Sequence, residues 1–211
     1  MTSEIQYDAV FFDFDGVILD SVEVKTQAFA KMFRHYGQEI EREVIKYHLS
    51  NGGLSRFEKF RYYYEHLLNK PVSTAELERL GDQFSDFALQ GVLACSYLPG
   101  ALETLRQLKK AGIPSFIVTG TPDKEIQLIL KLKNLESLFL EAQGSPKTKY
   151  AITQELMKRY SLSPKRCLFV GDAMTDFETA QQCGTDFLGI CLNLKLSPFP
   201  SGTLVKTHVQ I

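Results

Sequence analysis

Residues 9–16 read Ala-Val-Phe-Phe-Asp-Phe-Asp-Gly. The stretch from Ala9 to Phe14 is a short, almost continuous apolar run, the pattern of a parallel strand covered on both faces. It closes on two carboxylates, Asp13 and Asp15, and a glycine. Runs of the same kind recur at Pro114–Thr119, Arg166–Val170 and Asp186–Leu192, each ending near polar residues or glycine. Between them the apolar residues fall at helical spacing: Leu102, Leu105 and Leu108 within 101–111, Ile126, Ile129 and Leu130 within 122–133, and Ile152, Leu156 and Met157 within 149–160. Pro122 and Pro146 stand where a first helical turn tolerates proline. Strands alternating with helices predict an α/β fold, a Rossmann-like parallel sheet with helical crossovers.

The stretch from Ser21 to Cys95 breaks that rhythm. It holds no convincing strand and about four helical segments in succession, as expected of an inserted all-α helical unit. Its aromatic and apolar positions, among them Phe29, Phe33, Phe60, Tyr63, Leu80 and Phe84, recur every three or four residues and read as the core of a small bundle. Leu98-Pro99-Gly100 marks the return to the sheet. Residues 1–19 and 97–211 are thus expected to form the α/β core, and residues 20–96 the inserted helical unit. A last edge strand is expected within Phe199–Ile211.

Composition narrows the partners. With 24 basic and 25 acidic residues the formal charge of the 211-residue chain is −1, so nothing in the balance favours nucleic acid or an anionic membrane. Cys95, Cys167, Cys183 and Cys191 show no metal-ligand spacing and read as buried reduced thiols. Met1–Asp8 lacks the pattern of a leader, and no apolar run approaches a membrane span, so a cytoplasmic location is the expectation.

In an α/β sheet ligands sit beyond the carboxyl ends of the strands. Those ends carry Asp13-Phe14-Asp15-Gly16, Thr119-Gly120-Thr121, the loop Gly144-Ser145-Pro146-Lys147 and Gly171-Asp172 with Asp176 close behind. Paired carboxylates closing an apolar strand are costly unless a cation or hydrogen bonds compensate them. With Asp172 converging, a hard divalent ion is the cheapest compensation, and Mg2+ suits a few carboxylates completed by water and phosphate oxygens. Thr119 and the amide of Gly120 can grip phosphate oxygens, although alone Thr119 would as readily cap a helix. Lys147, elsewhere an ordinary surface lysine, would here neutralise charge.

In order and separation these motifs resemble the haloacid dehalogenase superfamily, in its β-phosphoglucomutase-like and phosphoglycolate-phosphatase-like branch with an α-helical cap. Asp13-Phe14-Asp15-Gly16-Val17 resembles the first motif, Val118-Thr119-Gly120 the second, Lys147 in GSPKTK the third, and Gly171-Asp172 through Asp176 the fourth. The resemblance implies a phosphatase acting on a small phosphate ester, a sugar phosphate or a phosphoglycolate-like compound. It implies Asp13 as nucleophile and Mg2+ ligand, and Asp15 as general acid and base whose carbonyl also ligates the metal. Thr119 and Gly120 would hold the phosphoryl oxygens, Lys147 would balance charge, Asp172 would ligate the metal, and Asp176 would do so directly or through water. Raising the pKa of Asp15 would supply its proton. The cap would close over the site, with Arg56 of Gly53-Leu54-Ser55-Arg56 touching the leaving group, or Lys59 beside it; a surface arginine decorating the next helix is the competing reading of Arg56.

Where many members carry a histidine in a stretch resembling DS-x-x-x-H, this chain has Lys25, which weakens a sugar-phosphate mutase reading. A dehalogenase proper lacks the second aspartate of the first motif, so Asp15 argues against it. A non-catalytic phosphate-binding protein usually loses a nucleophile or ligand, and none is missing. A monomer is the expected state.

Overall fold

The structure, a computed structural model, describes residues 6–211. The absence of a leader, read from Met1–Asp8, therefore rests largely on residues 1–5, outside the described part. Six parallel strands form one sheet in the order β3-β2-β1-β4-β5-β6: β1 Ala9–Phe12, β2 Ser115–Pro122, β3 Glu141–Ser145, β4 Cys167–Gly171, β5 Asp186–Ile190 and β6 Val205–Lys206. Every described pairing is parallel, so all carboxyl ends lie along one edge of the sheet.

Both faces are covered, which explains the unbroken apolar character of β1. Val10 and Phe12 pack with Leu105, Leu108, Ile126 and Ile129 of α5 (Ala101–Lys110) and α6 (Asp123–Leu132). Phe11 turns to the other face, against Ile152, Leu156 and Ala180 of α7 (Lys149–Arg159) and α8 (Met174–Cys183). Its ring stacks with Phe116 at 5.2 Å and Phe169 at 6.3 Å.

Four helices intervene between β1 and α5: α1 Val22–Phe33, α2 Gln38–Ser50, α3 Arg56–Tyr62, which runs on through a wide turn at Tyr63–Leu67, and α4 Thr74–Ala94. Ser55 and Glu58 form a capping box at the start of α3, and the Ser73 side chain caps α4. The predicted aromatic stripe is their core: Phe29 meets Phe84 at 4.4 Å and Phe60 at 5.6 Å, and Phe33 meets Tyr63 at 5.0 Å. The chain enters and leaves this helical cap side by side. Asp20 N–H donates to Ser96 O at 3.0 Å and Leu98 N–H to Ile18 O at 3.0 Å.

Some local expectations are corrected. Pro122 precedes α6 as its cap residue, and Pro146 lies three positions ahead of α7, so neither occupies a first helical turn. Glu141–Ser145 form an edge strand without an apolar run, which takes in Gly144 and Ser145, expected as part of a loop. Cys167 and Cys183 are buried free thiols as expected, whereas Cys95 and Cys191 are only half-buried. Among the described residues no helix is long and apolar enough to cross a membrane.

Candidate active site

The order of the sheet reverses at β1, which has β2 on one side and β4 on the other, so the polar residues that follow these strands converge. Carboxylate oxygens of Asp13, Asp172 and Asp176 come within 4.8 Å of one another. A cavity of about 200 Å³ opens above them between sheet edge and cap, lined in part by Asp13, Asp15, Thr119, Gly120 and Asp172.

The lysine beside these acids is Lys149. Its Nζ lies 2.8 Å from Asp13 Oδ2 and 2.6 Å from Asp176 Oδ1, and it is buried. Lys147, the sequence candidate, is corrected: it is half-exposed and its Nζ meets Glu155 Oε2 at 2.5 Å, away from the carboxylates. The reason is local. Thr148 caps α7 by accepting from Ala151 N–H at 3.2 Å, so Lys149 opens the helix and Ile152, one turn on, shares its buried side. Burial alone would push the Lys149 ammonium down, but the charges of Asp13 and Asp176 raise it well above the ordinary lysine range.

One cation among three carboxylates leaves an excess of negative charge. Burial first, then the charges of Asp13 and Asp176, hold the Asp172 carboxyl well above the ordinary range, and burial lifts Asp176 to about 7. Asp13 Oδ1 accepts from Phe14 N–H at 2.7 Å, and both Asp176 oxygens are engaged, by Lys149 at 2.6 Å and Ala173 N–H at 3.2 Å. The donor set is hard oxygen and electrically incomplete, which fits Mg2+. Asp172 would ligate directly with Asp13, and Asp176, whose two oxygens are engaged, one by Lys149 and one by Ala173 N–H, would act directly or through water.

Asp15 faces another network. Its Oδ1 accepts from Ser21 Oγ at 2.6 Å, and its Oδ2 from Thr121 Oγ1 at 3.0 Å and from Lys25. Lys25 also donates to Thr121 Oγ1 at 2.7 Å. Burial pushes the Asp15 carboxyl up, yet the charge of Lys25 and these hydrogen bonds outweigh it and hold the group below its ordinary value. The expectation of a raised pKa is therefore corrected: in this state Asp15 is ionised. Lys25, at the position where the resembling motif has histidine, is a site residue whose role the sequence did not reveal.

Thr119 is buried, its Oγ1 accepting from Thr121 N–H at 3.2 Å. Gly120 lies beneath the cap loop: a Cβ there would stand 2.5 Å from the Gly53 carbonyl oxygen. The loop is fixed to the core as well by Thr175 Oγ1, which donates to Gly52 O at 2.8 Å. Arg56, expected to touch a leaving group, is already engaged within the protein. It lines the cavity but is buried, donating to Glu125 at 2.9 and 2.6 Å and to Ser85 Oγ at 2.7 Å, so it ties α3 and α4 of the cap to α6 of the core.

This fold and site define a hydrolase of the haloacid dehalogenase type. The chain belongs to the haloacid dehalogenase-like hydrolase family, whose model matches residues 7–184. It is 24% identical over 192 residues to the phosphoglycolate phosphatase of Mannheimia succiniciproducens, across 88% of this chain and 86% of that protein. Two solved structures share its fold. One, from Haemophilus somnus and described as a predicted phosphoglycolate phosphatase, has a TM-score of 0.69 at 23% identity, covering 89% of this chain and 87% of the other. The other, β-phosphoglucomutase from Clostridium difficile, has a TM-score of 0.72 at 19% identity, covering 96% and 91%.

Proposed function

We propose that this protein is a Mg2+-dependent phosphatase that hydrolyses a small phosphate ester through a phosphoryl group carried on Asp13. The observation that carries the reading is the meeting of Asp13, Asp172 and Asp176 within 4.8 Å at the strand ends, with Lys149 bonded to two of them. Asp13, held by Phe14 N–H and Lys149, attacks phosphorus with one carboxylate oxygen as the ester P–O bond breaks. Thr119 and the Gly120 amide hold the phosphoryl oxygens, and Lys149 offsets their charge. Asp15, ionised at rest, takes a proton from Lys25 across their hydrogen bond as it protonates the departing oxygen, which leaves as an alcohol, and later returns to Lys25 the proton it takes from water. Water then attacks phosphorus, Asp15 takes its proton, and phosphate departs as Asp13 is regenerated. Bound Mg2+ would supply charge neutralisation on nucleophile and phosphate. Because the transition state of phosphoryl transfer is loose, positioning and electrostatics provide most of the acceleration.

We further divide the chain into a core of residues 1–19 and 97–211 and a cap of residues 20–96, a division supported by the paired backbone at Asp20–Ser96 and Ile18–Leu98. A cytoplasmic protein acting on a small phosphorylated metabolite accords with the near-neutral charge of −1. The test is phosphate release from p-nitrophenyl phosphate or acetyl phosphate with Mg2+, with acid-quench trapping of labelled phosphate on Asp13. Undiminished activity in Asp13→Asn ends the proposal. Accumulation of glucose 6-phosphate from β-glucose 1-phosphate would replace it with a mutase.

A further inference from the structure

Among the described residues three buried side-chain atoms have no hydrogen-bond partner: His48 Nε2, Ser115 Oγ and Ser145 Oγ. His48 belongs to the cap, where its Nδ1 meets the Nζ of Lys59 at 2.8 Å. Ser115 opens β2, at the end of the sheet away from the site. Ser145 is different, because it closes β3 on the edge where Asp13, Thr119 and Asp172 gather, and it is 3% exposed. A hydroxyl both donates and accepts, and burying one with neither bond made costs free energy. Its own turn does not serve it: the next residue, Pro146, has no N–H, and the cap of α7 is Thr148.

Backbone pairing holds Ser145 beside the turn that carries Thr119 and Gly120. β2 and β3 pair at Val118–Gln143 and again at Pro122–Ser145, and the register shifts between. Thr119, Gly120 and Thr121 thus bulge opposite Gly144 alone, an irregularity common beside active sites. The contact is tight. A Cβ on Gly144 would stand 2.0 Å from the Thr121 carbonyl oxygen, and Gly144 N–H donates to Asp123 Oδ1 at 3.1 Å. Ser145 lines a second cavity, of about 180 Å³, on the α7 side of the cap loop. Gly53, Leu54, Thr119 and Gly120 border both cavities, Asp13 only the first, and Ser145 and Lys149 only the second. Yet Lys149 Nζ is bonded to Asp13, so the two cavities meet where a phosphoryl group on Asp13 would lie.

We propose that the Ser145 hydroxyl donates a hydrogen bond to an oxygen of the transferred phosphoryl group, joining Thr119, the Gly120 amide and Lys149. The proposal deepens and rests on the phosphatase reading. Ser145 is then a catalytic residue that keeps its proton throughout. Its dipole is fixed before the substrate arrives and stabilises charge on the phosphoryl oxygens without adding to the charge of the site. The orphaned hydroxyl of the ligand-free protein finds its partner in the substrate, and a bond to a charged oxygen is of the stronger kind.

The experiment compares wild type with Ser145→Ala. For p-nitrophenyl phosphate and ethyl phosphate alike, kcat/KM should fall by about tenfold or more, because the donor touches the group that the two esters share. Without ligand the Tm should not fall, since the hydroxyl removed has no partner in the protein. Unchanged kcat/KM or a loss confined to one ester overturns the proposal. So does a variant that melts well below wild type or fails to fold, which would make the hydroxyl structural.

Failure of the phosphatase reading is separable. Calorimetric binding of inorganic phosphate, with Mg2+, needs no turnover. Wild type should bind it about tenfold more tightly than Ser145→Ala; equal binding removes Ser145 from the phosphoryl site whatever the activity.

Discussion

At the scale of single residues the two lysines of GSPKTK make the sharpest contrast. Lys147 forms an exposed pair with Glu155, of the kind that contributes little, so Lys147→Ala should leave kcat/KM within about twofold and Tm unchanged. Lys149→Ala removes the cation between Asp13 and Asp176; a fall of about a hundredfold or more in phosphate release is expected, since charge stabilisation dominates this chemistry. Equal effects would refute the assignment. From sequence the choice was open, because both lysines follow Pro146, and only the helix boundary at Thr148 decides which side chain turns inward. The carboxylates were legible for a different reason: each lies at or just beyond the end of a buried strand, where position follows directly from the apolar run. Lys59 carries its own prediction. Burial, then the charge of Lys25, lowers its pKa from 10.5 to about 7, so the folded state binds less proton than the unfolded between those values. The cost is fully present below about pH 7, declines as pH rises towards about 10.5 and is absent above it. Lys59→Met should therefore melt above wild type at pH 6, with the gap closing by pH 10 in thermal scans; a constant gap would show that burial leaves the protonation of the lysine as it is in the unfolded chain.

At the scale of elements, the contact between cap and core depends on a few short segments. Arg56 on α3, Ser85 on α4 and Glu125 on α6 form a buried triad, with Ser85 Oγ 2.5 Å from Glu125 and the Arg56 guanidinium 4.4 Å from the Phe84 ring centroid. Removing one partner strands the other in a low-dielectric site, so Arg56→Met should cost about 3–5 kcal/mol in denaturant unfolding. Arg56→Met with Glu125→Gln should cost less than the sum of the single changes, since neither charge is then left alone. Additivity would mean that the pair is not coupled. The triad also marks where sequence reasoning stopped: an arginine after Ser55 carries no sign that its partner lies 69 positions along the chain. The missed strand β3 has a related cause. Glu-Ala-Gln-Gly-Ser pairs only with β2 at the edge of the sheet and is largely half-buried, so it never needed the apolar run by which β1, β2, β4 and β5 declared themselves. The cap helices were legible because each buries one aromatic stripe against its neighbours.

At the scale of the whole molecule, folding brings Asp13 from β1, Asp172 from β4 and Asp176 from α8 together against a single lysine, and cap closure presses Gly53 over them. A Cβ on Gly53, whose φ is +77°, would stand 2.1 Å from Thr175 Oγ1 and 3.0 Å from Lys149 Nζ, so the loop leaves little room above the cluster. The folded chain thus crowds acids that the unfolded chain keeps apart in water, which, with burial, holds the Asp172 and Asp176 carboxyls above their ordinary values. A divalent cation binding only the folded state must raise stability by mass action, by about 2.7 kcal/mol at a hundredfold excess over Kd. In a chain of 211 residues that corresponds to a rise in Tm of roughly 5–10 °C. Titrating Mg2+ into EDTA-treated protein should show this rise in a scanning calorimeter. Asp172→Asn should abolish most of it, because, of the three acids, Asp172 is the one whose side chain has no hydrogen-bond partner among the described residues. The same substitution should raise the Tm of metal-free protein, since it removes a carboxyl whose charged form the folded site disfavours, by burial first and then by the charges of Asp13 and Asp176. The opposite signs of the two effects separate a cation site from a structural carboxylate: a structural role for Asp172 requires the metal-free variant to melt lower than wild type and the Mg2+ response to persist.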